Sequence, residues 1–493
     1  MPFVTGPLPQ RLKLVHGFGA VAFGVKDSGF SFFLLPFYNL VLGVDASTVG
    51  AALAAALVID ALVDPLIGHL SDRTYTKWGR RLPWLYLAPW PLALVWTMLW
   101  SPPFTGTPGF WDIVALAVGV RLLLSACEVP SVSLVPEITD DYDDRTTLFR
   151  YRFLSGWLGG LLMMVLTFTV FLPTPQSQLQ PEGYASYGLF GAALIALSVI
   201  GSAAAQHRIV AQLPERRPAP FSITGAFAEI FDAFREKAFV IFALGGLAAY
   251  VLQGMTFSIT QYVNLYVWQF SELAFQLYPA VLFLSVVLMF VIVGPLHRRW
   301  GKPKSAALGA LVGLAFYCSP YVFYLAGAWP TVGTTASTAL LYGFLVCANT
   351  ASVVAIISAT SMVAEIVEAF EERTGQRAEG TFYAGNWLVQ KCATGGGILL
   401  TSLIVQSIDL APGTPQAEVA PETVRQLVWL FMLAATVLAS IAAFWLARFP
   451  ISREQHEARV AARRGRPAPP APATADPLDQ AVRADPDAHT ITP

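Results

Sequence analysis

Long apolar runs recur through this chain, and each is about as long as a helix must be to cross a bilayer, roughly 20 residues. Only 13% of the 493 residues are charged, against about 25% in soluble domains. A segment in hydrocarbon must satisfy its own backbone polar groups, and a helix does so. We therefore predict an all-α polytopic membrane protein. The net charge of −1 argues against a nucleic-acid partner.

The apolar runs number twelve. The twelve predicted transmembrane helices lie near residues 14–43, 47–70, 83–101, 110–135, 151–173, 184–205, 239–265, 274–296, 305–326, 334–358, 381–408 and 424–447.

Basic residues are confined to alternate loops. Nearly every Lys and Arg outside the termini and the spans lies in loops 71–83, 136–150, 206–238, 297–304 and 359–380, and the intervening loops hold none. Loops rich in Lys and Arg stay in the cytoplasm. The pattern therefore predicts that both termini are cytoplasmic.

A polar segment with linker composition divides the runs into six and six. A weak repeat supports this division, because Trp78-Gly79-Arg80-Arg81 after the second span is echoed by Arg299-Trp300-Gly301-Lys302 after the eighth. Two six-helix halves describe the major facilitator architecture, with the substrate between the halves. The predicted parts are an N-terminal six-helix bundle (1–205), a central cytoplasmic linker (206–238), a C-terminal six-helix bundle (239–449) and a largely disordered cytoplasmic tail (450–493).

Two carboxylates, Asp60 and Asp64, lie in the second span, where an ionisable group is expensive and indicates function. They are four residues apart and so share one helix face. Two such carboxylates repel each other unless a cation lies between them. We favour reversible binding of H⁺ or Na⁺, and the alternative is a structural ion pair with Lys26 or Lys391.

Other charges within spans have two interpretations each. Asp27 either binds substrate or is neutralised by Lys26. Because neighbouring residues point about 100° apart on a helix, we favour distinct partners for Lys26 and Asp27. Glu128 either contacts a polar substrate or pairs with Arg121, two turns away.

Arg152 lies at the start of its span, whereas Lys391 lies further inside its span, before Gly395-Gly396-Gly397. The alternative for each is that the long basic side chain extends to the interface. For Lys391 we favour the role of a mobile countercharge to the Asp pair. The uncharged polar residues that could line a cavity are Gln253, Thr256, Gln261, Tyr262, Asn264, Trp268, Asn349, Asn386 and Trp387.

These residues fall in motifs. The second span and its loop read Asp60-x-x-x-Asp64-Pro65-x-x-Gly68-x-x-x-Asp72-Arg73-Thr74, followed by Trp78-Gly79-Arg80-Arg81-x-Pro83-Trp84. The others are Gly17-Phe18-Gly19…Lys26-Asp27, Glu128-Val129-Pro130…Pro136-Glu137-x-Thr139-x-Asp141…Arg145, and Thr374-Gly375-x-Arg377-x-Glu379-Gly380 leading to Lys391. Together they resemble the glycoside–pentoside–hexuronide:cation symporters, the melibiose permease family, over nearly all of residues 11–450.

The resemblance implies roles for matched positions. It implies a cation site at Asp60 and Asp64 with Ser125 nearby, and a sugar site at Asp27 and Glu128. It also places Arg152 and Lys391 near the sugar and cation sites. We further predict Lys26 and Trp387 beside the substrate and Lys391 and Arg121 as countercharges. The loop residues predicted to take part in conformational change are Asp72, Arg73, Arg80, Arg81, Glu137, Asp141 and Arg145.

The chain also departs from the family pattern. The fourth-span acid is Glu128 instead of Asp, a sugar-contacting aromatic residue is replaced by Val132, and a Tyr is replaced by Leu124. An Asn that helps to bind Na⁺ is replaced by Val63. These departures argue against melibiose itself and favour H⁺ over Na⁺.

We therefore expect a secondary active symporter that couples H⁺ or Na⁺ to uptake of a sugar, glycoside or uronide, as a monomer in a bacterial inner membrane. We expect no cofactor and no metal beyond a possible Na⁺. The alternative is cation-coupled transport of a non-sugar solute such as a lysolipid. An intramembrane aspartyl hydrolase is disfavoured because both aspartates lie on one helix, and a channel or sensor because no pore repeat or cytoplasmic domain is evident.

Overall fold

Helices dominate the computed structural model, which describes residues 8–139, 141–211, 228, 231–375, 378–408 and 410–451. Within these ranges there is no strand. The predicted all-α class is confirmed, and so is a polytopic membrane protein, because eleven helices are long and apolar enough to cross a bilayer. The tail predicted to be disordered and most of the predicted linker lie outside the described residues.

The helices follow the predicted order. They are α1 (Gln10–Val41), α2 (Ala46–Asp72), α3 (Leu82–Trp100), α4 (Phe110–Ile138), α5 (Asp143–Phe171), α6 (Pro181–Val210), α7 (Lys237–Val267), α8 and α9 (together Glu272–Leu325), α10 (Thr335–Thr374), α11 (Glu379–Ser407) and α12 (Pro421–Ala447).

The longest of the eleven helices contains two spans. Its 54 residues would extend about 81 Å at 1.5 Å per residue, well beyond a hydrocarbon core of about 30 Å. The backbone leaves helical geometry at Gly301, with φ 72° and ψ 171°. We therefore assign α8 to 272–300 and α9 to 302–325, which gives twelve spans in the described residues, as predicted.

The same glycine supports the predicted internal repeat. Gly79, which follows Trp78 between α2 and α3, also has a positive φ, 80°. A left-handed backbone of this kind favours glycine over residues with a Cβ. The two Trp-Gly loops therefore make the same type of turn at matching positions of the repeat.

Several helices are longer than the apolar runs that predicted them. α5 begins at Asp143, not near residue 151, and α10 continues to Thr374 instead of ending near 358. The side chain of Asp141 accepts a hydrogen bond from the backbone N–H of Asp144 at 2.8 Å and so caps α5. Apolar runs mark the hydrocarbon core, whereas a capped helix continues into the polar interface.

The first and last six helices contact each other at the face opposite the basic loops. There Tyr262 donates a hydrogen bond to Asn39 at 2.9 Å, and the N–H of Gly413 donates to the carbonyl oxygen of Leu40 at 2.8 Å. The rings of Phe168 and Phe275 lie 5.2 Å apart. These contacts close the structure on that face, which we call the closed face. The division of the chain into two separate bundles stays a prediction.

Near the middle of the structure, α2 and α11 approach closely. A Cβ on Gly395 would lie only 3.2 Å from the Cα of Ala54. Small residues permit this kind of close helix packing in membranes. Lys391 lies one turn before Gly395, on the same face of α11, and is therefore directed toward α2.

Candidate functional site

The aspartate pair of α2 forms the centre of a polar cluster between α2, α4 and α11. The Oγ of Ser125 lies 2.7 Å from Asp64 Oδ1 and 3.2 Å from Asp60 Oδ1. The Nζ of Lys391 lies 2.5 Å from Asp64 Oδ2 and 2.9 Å from Asp60 Oδ2. One hydroxyl thus contacts the Oδ1 atoms of both carboxylates, and one ammonium contacts their Oδ2 atoms.

A second cation neutralises the cluster. Arg121, one turn before Ser125 on α4, places Nη1 3.3 Å from Asp60 Oδ2, and its guanidinium lies 4.6 Å from the ring centre of Phe30. Both Arg121 and Asp60 are buried. With Lys391, the two carboxylates therefore have two positive partners.

The structure selects among the alternatives for these charges. An ion pair with Lys391 forms, and cation binding at Asp60 and Asp64 stays a prediction. Lys26 does not join this cluster: its Nζ lies 3.5 Å from Asp27 Oδ1 and 4.3 Å from the ring centre of Phe23. The expectation of distinct partners for Lys26 and Asp27 is wrong, because the long lysine side chain bends back to its neighbour.

The predicted substrate residues of α4 and α5 meet directly. Arg152 Nη2 lies 2.5 Å from Glu128 Oε1, and Nη1 donates to Ser131 Oγ at 2.5 Å. Arg152 is buried, so it does not extend to the interface. Glu128 therefore pairs with Arg152 and not with Arg121.

Asp27, Glu128 and Arg152 line a cavity of about 620 Å³ between the first and last six helices. Toward the face that carries the basic loops, which we call the basic face, its wall includes the exposed rings of Phe149 and Phe153. The cavity is closed from the other end by the contacts of the closed face.

The predicted polar lining is only partly assembled. Gln253, Thr256 and Asn349 line the cavity. Trp387 and Lys26 are not among its lining residues; Trp387 is 57% exposed and Lys26 is buried. Their predicted role at the substrate stays a prediction.

Other residues in the predicted polar set hold helices together. Gln261 donates a hydrogen bond to Gln178, and Tyr250 donates one to Asn386 at 3.3 Å. Tyr262 belongs to the closed face. The cavity wall also includes the rings of Phe32 and Phe257. Sequence reasoning missed them, because a phenylalanine is an ordinary apolar residue of an apolar helix.

The motif loops form an ion-pair network at the basic face. Glu137 Oε1 lies 2.7 Å from Arg80 Nη2 and 3.1 Å from Arg81 Nη2. Arg81 also pairs with Asp72. Arg145 Nε donates to the carbonyl oxygen of Thr139 at 2.8 Å. The loop after α2 is thereby tied to the end of α4.

Arg73, which follows Asp72 directly, is exposed. Asp141 serves as the cap of α5 described above. The predicted participation of these seven loop residues in conformational change stays a prediction.

Residues 15–453 match the family described as "MFS/sugar transport protein". An uncharacterized symporter of Synechocystis sp. is 28% identical, over 90% of this chain and 94% of that protein. The isoprimeverose transporter of Lactiplantibacillus pentosus is 30% identical over 32% of this chain and 33% of its own length. A solved bacterial homologue of the human lysosomal transporter Spinster covers 89% of this chain and 96% of its own, with a TM-score of 0.64 and 14% identity, a likeness that concerns the fold.

Proposed function

Because this chain belongs to the MFS/sugar transport protein family, as its resemblance to the glycoside–pentoside–hexuronide:cation symporters predicted, we propose that it couples H⁺ or Na⁺ to the uptake of a sugar, glycoside or uronide. The chain is a transporter and not an enzyme. Its substrate is a small molecule, which the two halves of the chain carry by alternating access.

The observation that carries this proposal is the ion pair of Lys391 with both aspartates. Asp60 and Asp64 belong to α2, whereas Lys391 comes from α11, 327 residues beyond Asp64. A movement that separates α11 from α2 removes this ammonium and leaves the carboxylates short of one positive charge. A coupling cation that binds at Asp60 Oδ1, Asp64 Oδ1 and Ser125 Oγ supplies that charge.

The cation cluster and the cavity share helices, which gives a physical route for coupling. Asp60 pairs with Arg121 of α4, and Glu128 lies two turns further along the same helix, in the cavity wall. A solute hydroxyl can donate a hydrogen bond to Glu128 in place of the Arg152 guanidinium. If each ligand stabilises the same arrangement of α4, each raises the affinity of the other by the same factor.

The orientation follows from the basic loops. Under the positive-inside rule the basic face is cytoplasmic, as are both termini, and the closed face is external. The structure then represents a state closed to the outside. We place the protein in the inner membrane of a bacterium, as a monomer, with no cofactor other than the coupling ion.

The apolar part of the cavity wall favours a second candidate, cation-coupled transport of an amphiphile such as a lysolipid. This candidate retains the cation cluster and changes only the solute.

Proteoliposome uptake separates the two candidates. Radiolabelled melibiose, xylosides, glucuronides and a lysophospholipid are supplied under an imposed Na⁺ gradient or an imposed H⁺ gradient. Accumulation of one sugar under one gradient supports sugar symport and identifies the ion. Gradient-driven movement of the lysophospholipid alone supports the second candidate, and no gradient-dependent uptake of any solute contradicts both.

A further inference from the structure

Each charged group that lines the cavity already has a partner of opposite charge. Arg152 is the only cation among the described residues that line it, and it pairs with Glu128 and Ser131. Asp27 pairs loosely with Lys26 and is 56% exposed at its side chain, whereas the Glu128 side chain is 29% exposed. Two partly exposed carboxylates accept hydrogen bonds from hydroxyl groups, but an anionic solute would find no uncommitted positive charge here.

Most of the remaining wall is apolar and includes a pair of rings. The rings of Phe32 and Phe257 lie 5.0 Å apart, at an interplanar angle of 34°, and both line the cavity. Trp157 also lines it and stacks on Phe283 at 5.5 Å. Phe32 and Trp157 belong to the first six helices, and Phe257 to the last six, so an apolar group here contacts both halves.

Three polar lining residues (Asp27, Arg152 and Gln253) and three aromatic ones (Phe32, Trp157 and Phe257) form two layers. On α1 the lining residue Phe32 follows Asp27 by five positions, and on α5 Trp157 follows Arg152 by five. On α7 Phe257 follows Gln253 by four. These steps correspond to about 6–8 Å along a helix axis.

All three helices run from the basic face to the closed face. The aromatic layer therefore lies deeper in the cavity than the polar layer, by about 6–8 Å along the helix axes.

We propose that the cavity binds a neutral glycoside that carries an apolar, aromatic aglycone, with the sugar at Asp27, Glu128 and Arg152 and the aglycone against Phe32 and Phe257. This inference rests on the proposed function and narrows its substrate class. The cavity, at about 620 Å³, is within the range of about 300–1,000 Å³ that is usual for pockets that bind small-molecule ligands of drug size. A free sugar would leave the aromatic layer without a partner, and a uronide would place a carboxylate beside Asp27 and Glu128.

The test compares matched methyl and phenyl glycosides of galactose, glucose and xylose, together with phenyl glucuronide. Binding to the full-length protein is measured by calorimetry in lipid nanodiscs, since alkyl-glycoside detergents would compete for the same site. We expect one phenyl glycoside to bind about tenfold more tightly than its methyl counterpart, because an aromatic ring gains apolar burial and ring contacts. The phenyl glucuronide should bind more weakly than the neutral phenyl glycoside.

Variants connect this preference with the aromatic layer. Phe257→Ala should reduce the preference for phenyl over methyl to less than about threefold, and Phe257→Leu serves if the alanine variant does not fold. The matched control is Phe290→Ala, an exposed ring on α8 that is not among the lining residues, which should retain the full preference.

Equal binding of methyl and phenyl glycosides would overturn the aglycone site and leave sugar symport intact. So would a preference that survives both Phe257→Ala and Phe32→Ala, or tighter binding of the glucuronide. Binding of a lysophospholipid with no glycoside binding at all would overturn the proposed sugar transport as well.

Discussion

Replacement of Lys391 by methionine tests the charge balance of the aspartate cluster. Methionine retains an unbranched side chain of similar length and removes the ammonium. In the variant, Asp60 and Asp64 keep only Arg121 as a positive partner, and Arg121 contacts only Asp60 in the cluster. We expect the protein to become less stable without added coupling ion and to regain stability when that ion is supplied.

The expected loss lies between two limits. Exposed ion pairs contribute about 0–1 kcal/mol, and removal of one partner from a buried pair costs about 3–5 kcal/mol. The Asp60 side chain is 6% exposed, whereas Lys391 and Asp64 are 26% and 32% exposed. Because the cluster is partly hydrated, we expect a destabilisation of about 2 kcal/mol.

The measurement is thermal unfolding in nanodiscs, with Na⁺ added at constant pH and, separately, with the pH lowered at constant Na⁺. A ligand that binds only the folded state at 100 times its dissociation constant stabilises it by about 2.7 kcal/mol. The coupling ion should therefore recover the whole loss.

Lys302→Met is the matched control. Lys302 is 30% exposed and lies 2.9 Å from a single carboxylate, Glu365, which is 7% exposed. We expect this variant to lose a similar amount of stability. It should recover less of that stability when the ion is added, because only one carboxylate, that of Glu365, is available there to bind the ion. If Lys391→Met is as stable as the wild type, or if neither Na⁺ nor acid stabilises it more than the control, Lys391 does not act as the countercharge.

Three further predictions concern the cation cluster, the cavity and the closed face. Asp64→Asn should abolish gradient-driven accumulation in proteoliposomes, whereas Asp45→Asn, at the exposed start of the same helix, should retain it; full accumulation by the first variant would contradict the cation site. Glu128→Gln should weaken binding of the transported solute at least about tenfold, the equivalent of about 1.4 kcal/mol, because a charged hydrogen-bond acceptor is lost; unchanged calorimetric affinity would exclude Glu128 from the substrate site. Tyr262→Phe removes the hydrogen bond to Asn39 at a cost of about 1 kcal/mol, which should shift the population about fivefold toward opening of the closed face; spin-label distances across that face that do not change would refute this.

Much of the fold follows from the sequence because its signals are local. Apolar runs locate the helices, and the alternation of basic loops predicts on which side of the membrane each loop lies. The boundary inside the longest helix was also predictable, because the basic loop 297–304 separates two apolar runs. The ends of α5 and α10 were less predictable, because helix continues beyond the hydrocarbon wherever caps and packing allow it.

Part of the site was also predictable. Asp60 and Asp64 share a face because they are four residues apart, and their placement in an apolar helix requires positive partners. The sequence indicated Lys391 as one such partner, and the structure brings it to both carboxylates. The aromatic layer could not be predicted, because a phenylalanine in a membrane helix has the same appearance whether it faces lipid, protein or a cavity.

The sequence by itself determined the twelve spans, the alternation of their loops and the set of charges that must find partners inside the membrane, because these depend on chain-local periodicity and on the cost of charge in hydrocarbon. Only the tertiary structure decided which charges meet. Arg121 could face Glu128 along its own helix, but the packing of α2 and α5 against α4 gives it Asp60 and gives Glu128 to Arg152. Each cation takes the carboxylate that helix packing brings within hydrogen-bonding distance, and that distance depends on contacts between segments that are far apart in the chain.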